Sequence, residues 1–520
     1  MSVTKQLGNP DLSEVSPQLL WVRFFLICLG LTASSALPPL WGGNEVHYFD
    51  LAYRTVQPEA FTAQHSAFDN SNARFLSYRM IGHLIESFGF ETTKRILTPL
   101  QWFGMSAALA TLALTLGLSA VALGVGLGLY VLVGPSLIGE EWIFGTVEAK
   151  VFAYIAVLFG LSMAFSDKWR SAVVLLALAT YFHFLVGGFW AASIILLRII
   201  RGDAVAASRT LLAYTVLILP ILIILATERI GAVVDMTGLD RSLANIYAEY
   251  RNPHHVAPFH DFVSFVLKWA TGTCVHAGLA GAFYLISRQK DTGPTGLYLW
   301  LAGLNGYILV ALLIAYLDRN THALAPLYFF RPAGLILLLS TCGLAAALIQ
   351  RMDAEKVRSA TPAAAILMIA LIVPKAAISV GIFAFHNITL AEQSQKTHGA
   401  LIDWISKNTP PGASVLLEPP AAEPSRLEEM PSGYAAVERL SGRGLIVNFK
   451  FVPTAADDTA RWYRLLQART AFFQGDCSQL DLLKADFFVI QTKEAAKAVS
   501  RCGTLVDQVG SFTIFRTQVL

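Results

Sequence analysis

"LTPLQWFGMSAALATLALTLGLSAVALGVGLGLYVLVG", residues 97–134, is a segment of 38 residues without one acidic or basic side chain. A helix needs about 20 apolar residues to cross the hydrocarbon core of a membrane. A segment of 38 residues is therefore too long for one span. Every backbone amide in the core must also be bonded within its own helix, so a second helix is needed for the remaining residues. The turn-forming residues at 117–119 offer a break. We therefore predict two spans here, 97–115 and 118–135.

The whole chain has a similar composition. Of its 520 residues, 55% are hydrophobic and only 14% are charged, whereas soluble domains contain about 25% charged residues. Such a composition is typical of a polytopic membrane protein. The net charge is only +3, and no basic tail or motif accompanies it, so the sequence indicates no nucleic-acid partner.

The apolar segments predict an α-helical membrane domain of eleven spans, at 19–39, 97–115, 118–135, 150–166, 171–186, 187–201, 208–227, 262–286, 296–316, 326–349 and 362–386. The basic loops lie on alternate turns, at 166–170, 198–203, 287–291 and 350–358. Lys and Arg concentrate in short cytoplasmic loops, which predicts a cytoplasmic N-terminus and an exported C-terminus. We expect a multi-pass protein of a bacterial inner (plasma) membrane, with the first span retained as an anchor.

The charge distribution predicts a second domain. Residues 394–520 contain 27 charged residues in 127, about 21%, against about 12% in residues 1–393. We therefore expect a membrane domain at 1–390 and an extracytoplasmic domain at 391–520. Strands predicted at 413–419, 443–451, 485–492 and 511–517 alternate with helices at 400–410, 457–473 and 493–502, which favours a small α/β layer. Cys477 and Cys502 both lie in this domain, where an oxidising compartment could join them.

The first outer loop, residues 41–96, is longer than a simple connection and is therefore a candidate for function. It places Glu45 and Asp50 a few residues beyond the first span. A carboxylate at a membrane face can act as a general base or hold a metal. A solvated loop acid without a role in catalysis is the alternative for either residue.

These features resemble the GT-C superfamily, integral-membrane glycosyltransferases that use polyprenyl-phosphate-linked sugars. The resemblance consists of a long first outer loop with an acid after the first span, about eleven spans and an exported C-terminal domain. Many bacterial members carry an Asp-Glu pair followed by a Tyr in this loop, and the corresponding residues here are Asn44, Glu45 and Tyr48. Asn44 replaces the Asp. The resemblance therefore implies that Glu45 or Asp50 is the catalytic base.

The second outer loop adds Glu141 and Glu148. The GT-C resemblance implies that acids here assist the base or hold a divalent cation, which leaves the cofactor open. Glu148 and Lys150 lie at the entrance to a span, where ionisable groups are often functional. An interfacial Glu–Lys pair is the alternative interpretation.

The segment "EYRNPHHVAPFHD", residues 249–261, is the most polar of the outer segments and has three interpretations. His254, His255 and His260 could bind a metal, although adjacent histidines seldom point at one ion. The segment could also be a packed, proline-bounded loop. We favour phosphate recognition, because the planar guanidinium of Arg251 suits phosphate oxygens and His254 and His255 can donate hydrogen bonds.

Other polar residues lie at or within the predicted spans. His322 and Arg331 lie at the mouths of the ninth and tenth spans, where such side chains suit an anionic lipid head group, so we predict that both bind phosphate. The GT-C resemblance implies Arg331 as the side chain that holds the donor phosphate; a snorkelling Arg is the alternative. Lys375, in the eleventh span, is costly unless it faces a cavity or a partner. We interpret His183 and His276 as hydrogen-bonded core residues.

Two classes of function follow. The first is a GT-C-like glycosyltransferase that moves a sugar from a polyprenyl-phosphate donor to an extracytoplasmic acceptor, or an O-antigen ligase or polymerase with a similar layout. The second is a non-enzymatic lipid-binding or transport protein of the envelope, which Lys375 would favour.

Overall fold

The computed structural model describes residues 16–35, 41, 43–61, 72–134, 137–228, 234–289, 296–352, 391–419, 437–449, 452–453 and 455–518. Its N-terminal part is helical and its C-terminal part contains a small sheet. The predicted eleventh span and Lys375 lie outside the described residues.

The helices of the N-terminal part follow the apolar segments. They are α1 (Pro17–Ser35), α2 (Gly43–Val56), α3 (Phe75–Thr115), α4 (Ala120–Val133), α5 (Ala149–Phe165), α6 (Trp169–Phe182), α7 (Phe184–Ile200) and α8 (Ala204–Thr227). Further along are the short α9 (Leu243–Asn245), α10 (Pro253–Val256) and α11 (Phe262–Ser264), then α12 (Thr271–Ser287), α13 (Leu297–Leu317) and α14 (Ala333–Ile349). π-helical turns, Ile246–Arg251 and Phe265–Ala270, extend α9 and join α11 to α12.

Three of the described helical segments are long and apolar enough to cross a membrane, namely Asn72–Thr115, Ala204–Thr227 and Leu297–Leu317. Six shorter apolar helices coincide with other predicted spans: Pro17–Ala33, Ala120–Val133, Ala149–Phe165, Trp169–Phe182, Phe184–Ile200 and Ala333–Ile349. The structure thus supports a helical membrane-type domain with fewer full-length spans than the eleven predicted.

The break in the segment at 97–134 lies where its sequence predicts it. Helix α3 ends at Thr115 and α4 begins at Ala120. Gly117 has a φ of 68°, a left-handed conformation that glycine adopts without strain. The Ser119 side chain accepts a hydrogen bond from the backbone amide of Ala122 at 3.1 Å and so caps α4.

The C-terminal part is an α/β domain with a five-stranded sheet in the order β2-β1-β3-β5-β4. Its strands are β1 (Ser414–Leu417), β2 (Gly444–Leu445), β3 (Phe487–Ile490), β4 (Gly503–Val509) and β5 (Phe512–Thr517). β1 pairs in parallel with β2 and β3, whereas β5 is antiparallel to β3 and β4. The helices are α15 (Ala391–Asn408), α16 (Val437–Ser441), α17 (Ala456–Phe473), α18 (Leu480–Leu483) and α19 (Lys493–Val499). Each predicted strand and helix has a counterpart, but of the strand predicted at 443–451 only Gly444–Leu445 are a strand among the described residues, and β4 is an additional strand.

Cys477 and Cys502 form a disulfide, with Cα atoms 5.3 Å apart. It ties the segment after α17 to the start of β4. Buried clusters cover both faces of the sheet, and one of them includes Ile246 from the loop between α8 and α11. The C-terminal domain therefore packs directly on a loop of the membrane domain.

Candidate functional site

A cavity of about 1120 Å³ lies where the loops of the membrane domain meet the C-terminal domain. Every loop that lines it is one that the charge pattern predicts to be outside. Among the described residues its wall includes five cationic side chains, Arg74, Lys150, Arg251, Lys268 and Arg331. It also includes the carboxylates of Glu140 and Glu148. Cations outnumber acids on this wall, so the cavity suits an anionic ligand.

Arg331 is the centre of a buried ion network. It lies just before α14, and its Nη1 is 2.9 Å from Oε1 of Glu141. Lys150 Nζ lies 3.6 Å from Oε2 of the same carboxylate. The Arg331 guanidinium also stacks 4.3 Å from the ring of Tyr328, and Lys150 lies 3.7 Å from the ring of Trp142. These contacts hold both cations in fixed positions.

Glu148 is the buried carboxylate of the cavity wall. It occupies the N-cap position of α5 and is 1% exposed. Lys150 lies 3.5 Å away, and the side chain of Asn44 hydrogen-bonds to the carboxylate. Burial raises the pKa of Glu148 above its usual range, and Lys150 partly offsets this effect. An acid with a raised pKa in a cavity is suited to accept a proton.

Glu45, a candidate base from the sequence, faces away from the cavity. It is 1% exposed, and its Oε2 lies 2.8 Å from Nζ of Lys94 on α3. Its Oε1 accepts a hydrogen bond from the backbone amide of Val147 at 3.0 Å. These contacts join α2, α3 and the second outer loop. Glu45 is therefore engaged in these contacts and does not line the cavity, whereas its neighbour Asn44 does.

Asp50, the other candidate base, lies on the side of α2 that packs on the C-terminal domain. Its side chain is fully buried, and neither carboxylate oxygen has a hydrogen-bond partner among the described residues. Burial raises the pKa of Asp50 well above its usual range; Glu438 raises it further and Arg439 lowers it. The pKa of Glu438 is itself raised to about 7, mainly by burial. The two acids therefore share an interface between domains, not the cavity.

Replacing Asp50 with Asn is expected to stabilise the protein at pH 8. Because the pKa of Asp50 is raised in the folded state, the folded protein binds this proton more readily than the unfolded chain does. The stability that Asp50 contributes is therefore present at low pH and is lost as pH rises through the folded-state pKa. The thermal midpoints of the variant and the native protein should converge near pH 4 and differ most at pH 8. Differential scanning fluorimetry in detergent measures this, with the exposed Asp403 replaced by Asn as a control. A variant that is less stable at pH 8 would contradict the interpretation.

The histidine-rich segment lies partly in the cavity wall. Arg251, His254 and His255 line the cavity, and the two histidine rings lie 4.0 Å apart. His255 Nδ1 contacts the backbone oxygen of Gly139 at 2.5 Å. Burial lowers the pKa of His255 well below its usual range, which keeps its imidazole neutral at physiological pH.

His260 and His322 do not face this cavity. Both contact Glu249, His322 Nε2 at 2.8 Å from Oε1 and His260 Nδ1 at 3.9 Å from Oε2. In the part of the chain that the structure describes, no group of three or more His, Cys, Asp or Glu side chains is placed to hold a metal ion. His254, His255 and His260 therefore do not form the three-histidine metal site that was one interpretation of the segment.

Several cavity residues have no assigned role in the sequence-based prediction. Arg74 precedes α3, donates a hydrogen bond to the Tyr78 hydroxyl at 2.8 Å and lies 5.0 Å from the ring of Tyr48. Lys268 pairs with Glu140. The signal that could have found them is an ionisable residue at the end of an apolar segment.

The two histidines that lie within predicted spans differ from each other. His276 Nδ1 contacts the Asn305 side chain at 2.8 Å, which confirms its interpretation as a hydrogen-bonded core residue. His183 lines the cavity, and its buried Nδ1 has no hydrogen-bond partner in the described residues. The core interpretation of His183 is therefore not supported.

The C-terminal domain closes one side of the cavity. Phe449 and Thr459 are part of the wall, and the Arg251 guanidinium lies 5.4 Å from the Phe449 ring. Tyr250 packs edge-on against Tyr463 of α17, with ring centroids 5.0 Å apart. This domain thus contributes residues to the site as well as covering it.

Comparison with known proteins does not identify the chain. No protein-family model matches it, and no curated protein sequence does.

Proposed function

We propose that the chain is a GT-C-like membrane glycosyltransferase that moves a sugar from a polyprenyl-phosphate donor to an extracytoplasmic acceptor. The observation that carries this proposal is the arrangement of Glu148 and Arg331 around one cavity. A buried carboxylate and a set of cations in the same cavity are the two groups that such a transfer requires. The proposal retains the predicted eleven spans and exported C-terminal domain.

The size and lining of the cavity support a two-substrate reaction. Its volume of about 1120 Å³ is slightly above the range typical of small-molecule sites, about 300–1,000 Å³. Leu222 and Leu225 of α8 contribute an apolar wall. Helix α8 also leaves many apolar side chains exposed, including Leu212 and Val216. A lipid chain could lie along this helix while its head group enters the cavity.

In the proposed reaction, Glu148 removes the proton from an acceptor hydroxyl. The acceptor oxygen then forms a bond to the anomeric carbon of the sugar, and the bond from that carbon to the donor phosphate oxygen breaks. The phosphate leaves with the bonding electrons. Arg331, Arg251 and Lys150 stabilise its negative charge in a partly water-excluded cavity.

The assignment of Glu148 as the base can be compared with the GT-C motif residue by residue. Asn44 stands where many members have an Asp, and its side chain bonds to Glu148. We propose that the acid lost at position 44 is supplied by Glu148 of the second outer loop, with Asn44 positioning it. Glu45 keeps the position of the family acid in the sequence but pairs with Lys94.

The test is a transfer assay with purified protein in lipid nanodiscs. The protein is incubated with radiolabelled polyprenyl-phosphate sugars and an acceptor extract, with and without divalent cation. Release of sugar from the lipid by the native protein supports the proposal. Tight lipid binding without release, weakened by Arg331→Ala, would indicate a lipid carrier and contradict it.

A further inference from the structure

The boundary between α6 and α7 lies a few residues before the break predicted between the spans 171–186 and 187–201. Helix α6 ends at Phe182 and α7 begins at Phe184, and His183 between them has an extended backbone with φ −155° and ψ 107°. Gly187 permits this geometry, because a Cβ there would lie 2.2 Å from the backbone nitrogen of Thr180. The chain therefore begins a new helix beside the cavity.

The first turn of α7 borders that cavity. The first hydrogen bond within the helix runs from the amide of Gly187 to the carbonyl of His183 at 3.0 Å. The amides of residues 184–186 have no partner within the helix, as in any first turn. Phe184 and Leu185 line the cavity. The positive end of a 17-residue helix dipole therefore lies at the cavity wall.

An unpaired buried side chain lies at the same place. His183 is 5% exposed and lines the cavity, and its Nδ1 has no hydrogen-bond partner among the described residues. A buried polar atom of this kind costs free energy unless a ligand or water satisfies it. His183 is thus a buried polar side chain of the cavity wall whose Nδ1 accepts or donates no hydrogen bond among the described residues.

Cations share the cavity with this helix end. Arg331, Arg74 and Lys150 line the cavity together with His183. Arg331 lines the cavity together with Leu185, and its Nε has no hydrogen-bond partner in the described part of the chain. The nearby Glu141 accepts from Nη1 of Arg331, which leaves Nε as an additional donor.

We infer that the first turn of α7, His183, Arg331 and Arg74 form a binding site for a phosphate or diphosphate ester. Backbone amides at a helix N-terminus bind phosphate oxygens well, because donors and dipole act together. The arginines supply charge-assisted hydrogen bonds, and His183 donates from its imidazole. This inference deepens the proposed function and rests on it for the lipid attached to the phosphate. The anion site itself is tested separately with inorganic diphosphate.

A proline substitution tests the backbone donor at position 184. Proline is tolerated at the first helical position, where it removes an amide that the helix does not use. The extended backbone of His183 suits a residue that precedes proline. Phe184→Pro should therefore leave the fold intact while deleting one donor, and Phe184→Ala is the matched control that removes the ring but keeps the amide.

The measurement is binding of inorganic diphosphate to the full chain in neutral nanodiscs, by isothermal titration calorimetry. The dissociation constant of Phe184→Pro should exceed that of Phe184→Ala about fivefold, because one amide and part of the dipole are lost. Equal constants for the two variants would overturn the role of the α7 N-terminus.

A second pair of variants tests the side chain. His183→Ala should weaken diphosphate binding about tenfold through the loss of one hydrogen bond to a charged ligand. His276→Ala is the matched control, because His276 is also a buried histidine but is bonded to Asn305 outside the cavity. Weakening by both substitutions to the same extent would mean a general loss of folding and would overturn the assignment.

Titration with a polyprenyl phosphate in the nanodisc then identifies the source of the phosphate. Tighter binding of the lipid than of diphosphate, with the same loss in His183→Ala, supports a lipid head group. If both ligands bind and depend on His183 but no sugar is transferred, the anion site stands and the glycosyltransferase proposal fails. If sugar is transferred and His183→Ala has native affinity, the anion site is wrong and the transferase proposal stands.

Discussion

Replacing Glu148 with Gln is expected to reduce the rate of sugar transfer about 100-fold or more, because a positioned general base contributes that much. Gln has the size of Glu and can keep the bond to Asn44, but it cannot accept the acceptor's proton. The reduction should fall mainly on kcat, since the substitution removes the base while Arg331, Arg251 and Lys150 all remain to bind the donor phosphate.

The measurement is the initial rate of transfer in nanodiscs at several donor concentrations. Glu86→Gln is the control, because Glu86 is an exposed carboxylate on α3 that contacts His83 and Gln57 at the surface. It should retain the native rate. A Glu148→Gln variant with native kcat would remove Glu148 from the reaction.

The rate should also depend on pH in a defined direction. Glu148 must be ionised to accept a proton, and burial raises its pKa above the usual range for Glu. Activity is therefore expected to rise as pH increases through that raised pKa and to be low in acid. A rate that falls over the same interval would mean that Glu148 acts in its protonated form.

The apolar segments of the sequence locate the described membrane helices well, since long uncharged segments have few alternatives in a membrane. The break near Gly117 could be predicted because the uncharged segment 97–134 is too long for one span. The break at His183 lies a few residues before the boundary predicted between the spans 171–186 and 187–201. Its position involves a close approach of Gly187 to Thr180, which the sequence does not show. Strand β4 is exposed along most of its length, so its residues lack the apolar alternation that identifies a strand.

The candidate site depends on the direction in which each side chain points, and the sequence alone does not give this direction. Asn44 and Glu45 are adjacent, and successive residues of a helix project about 100° apart. Asn44, His47 and Tyr48 face the cavity with helical spacing, whereas Glu45 faces Lys94. The rotation of α2 about its axis depends on its packing against α3. A family resemblance therefore locates the loop but not the side chain that faces the ligand.

Glu45→Gln is expected to destabilise the folded protein by about 3–5 kcal/mol, the usual effect of breaking a buried ion pair. The Glu45 and Lys94 side chains are 1% and 5% exposed. Gln would leave the Lys94 ammonium buried without its counter-charge. The amide of Val147 would keep an acceptor, because Gln retains a side-chain oxygen. The charge of Glu45, not its size, is thus the property removed.

The measurement is the free energy of unfolding in mixed micelles with increasing SDS, followed by tryptophan fluorescence. Adding Lys94→Met to Glu45→Gln should recover most of the loss, because no charge then remains buried without a partner. The exposed control Glu86→Gln should stay within about 0.5 kcal/mol of the native protein. A stable Glu45→Gln protein that no longer transfers sugar would instead make Glu45 the base, as the family resemblance implies, and Glu148 would lose that role.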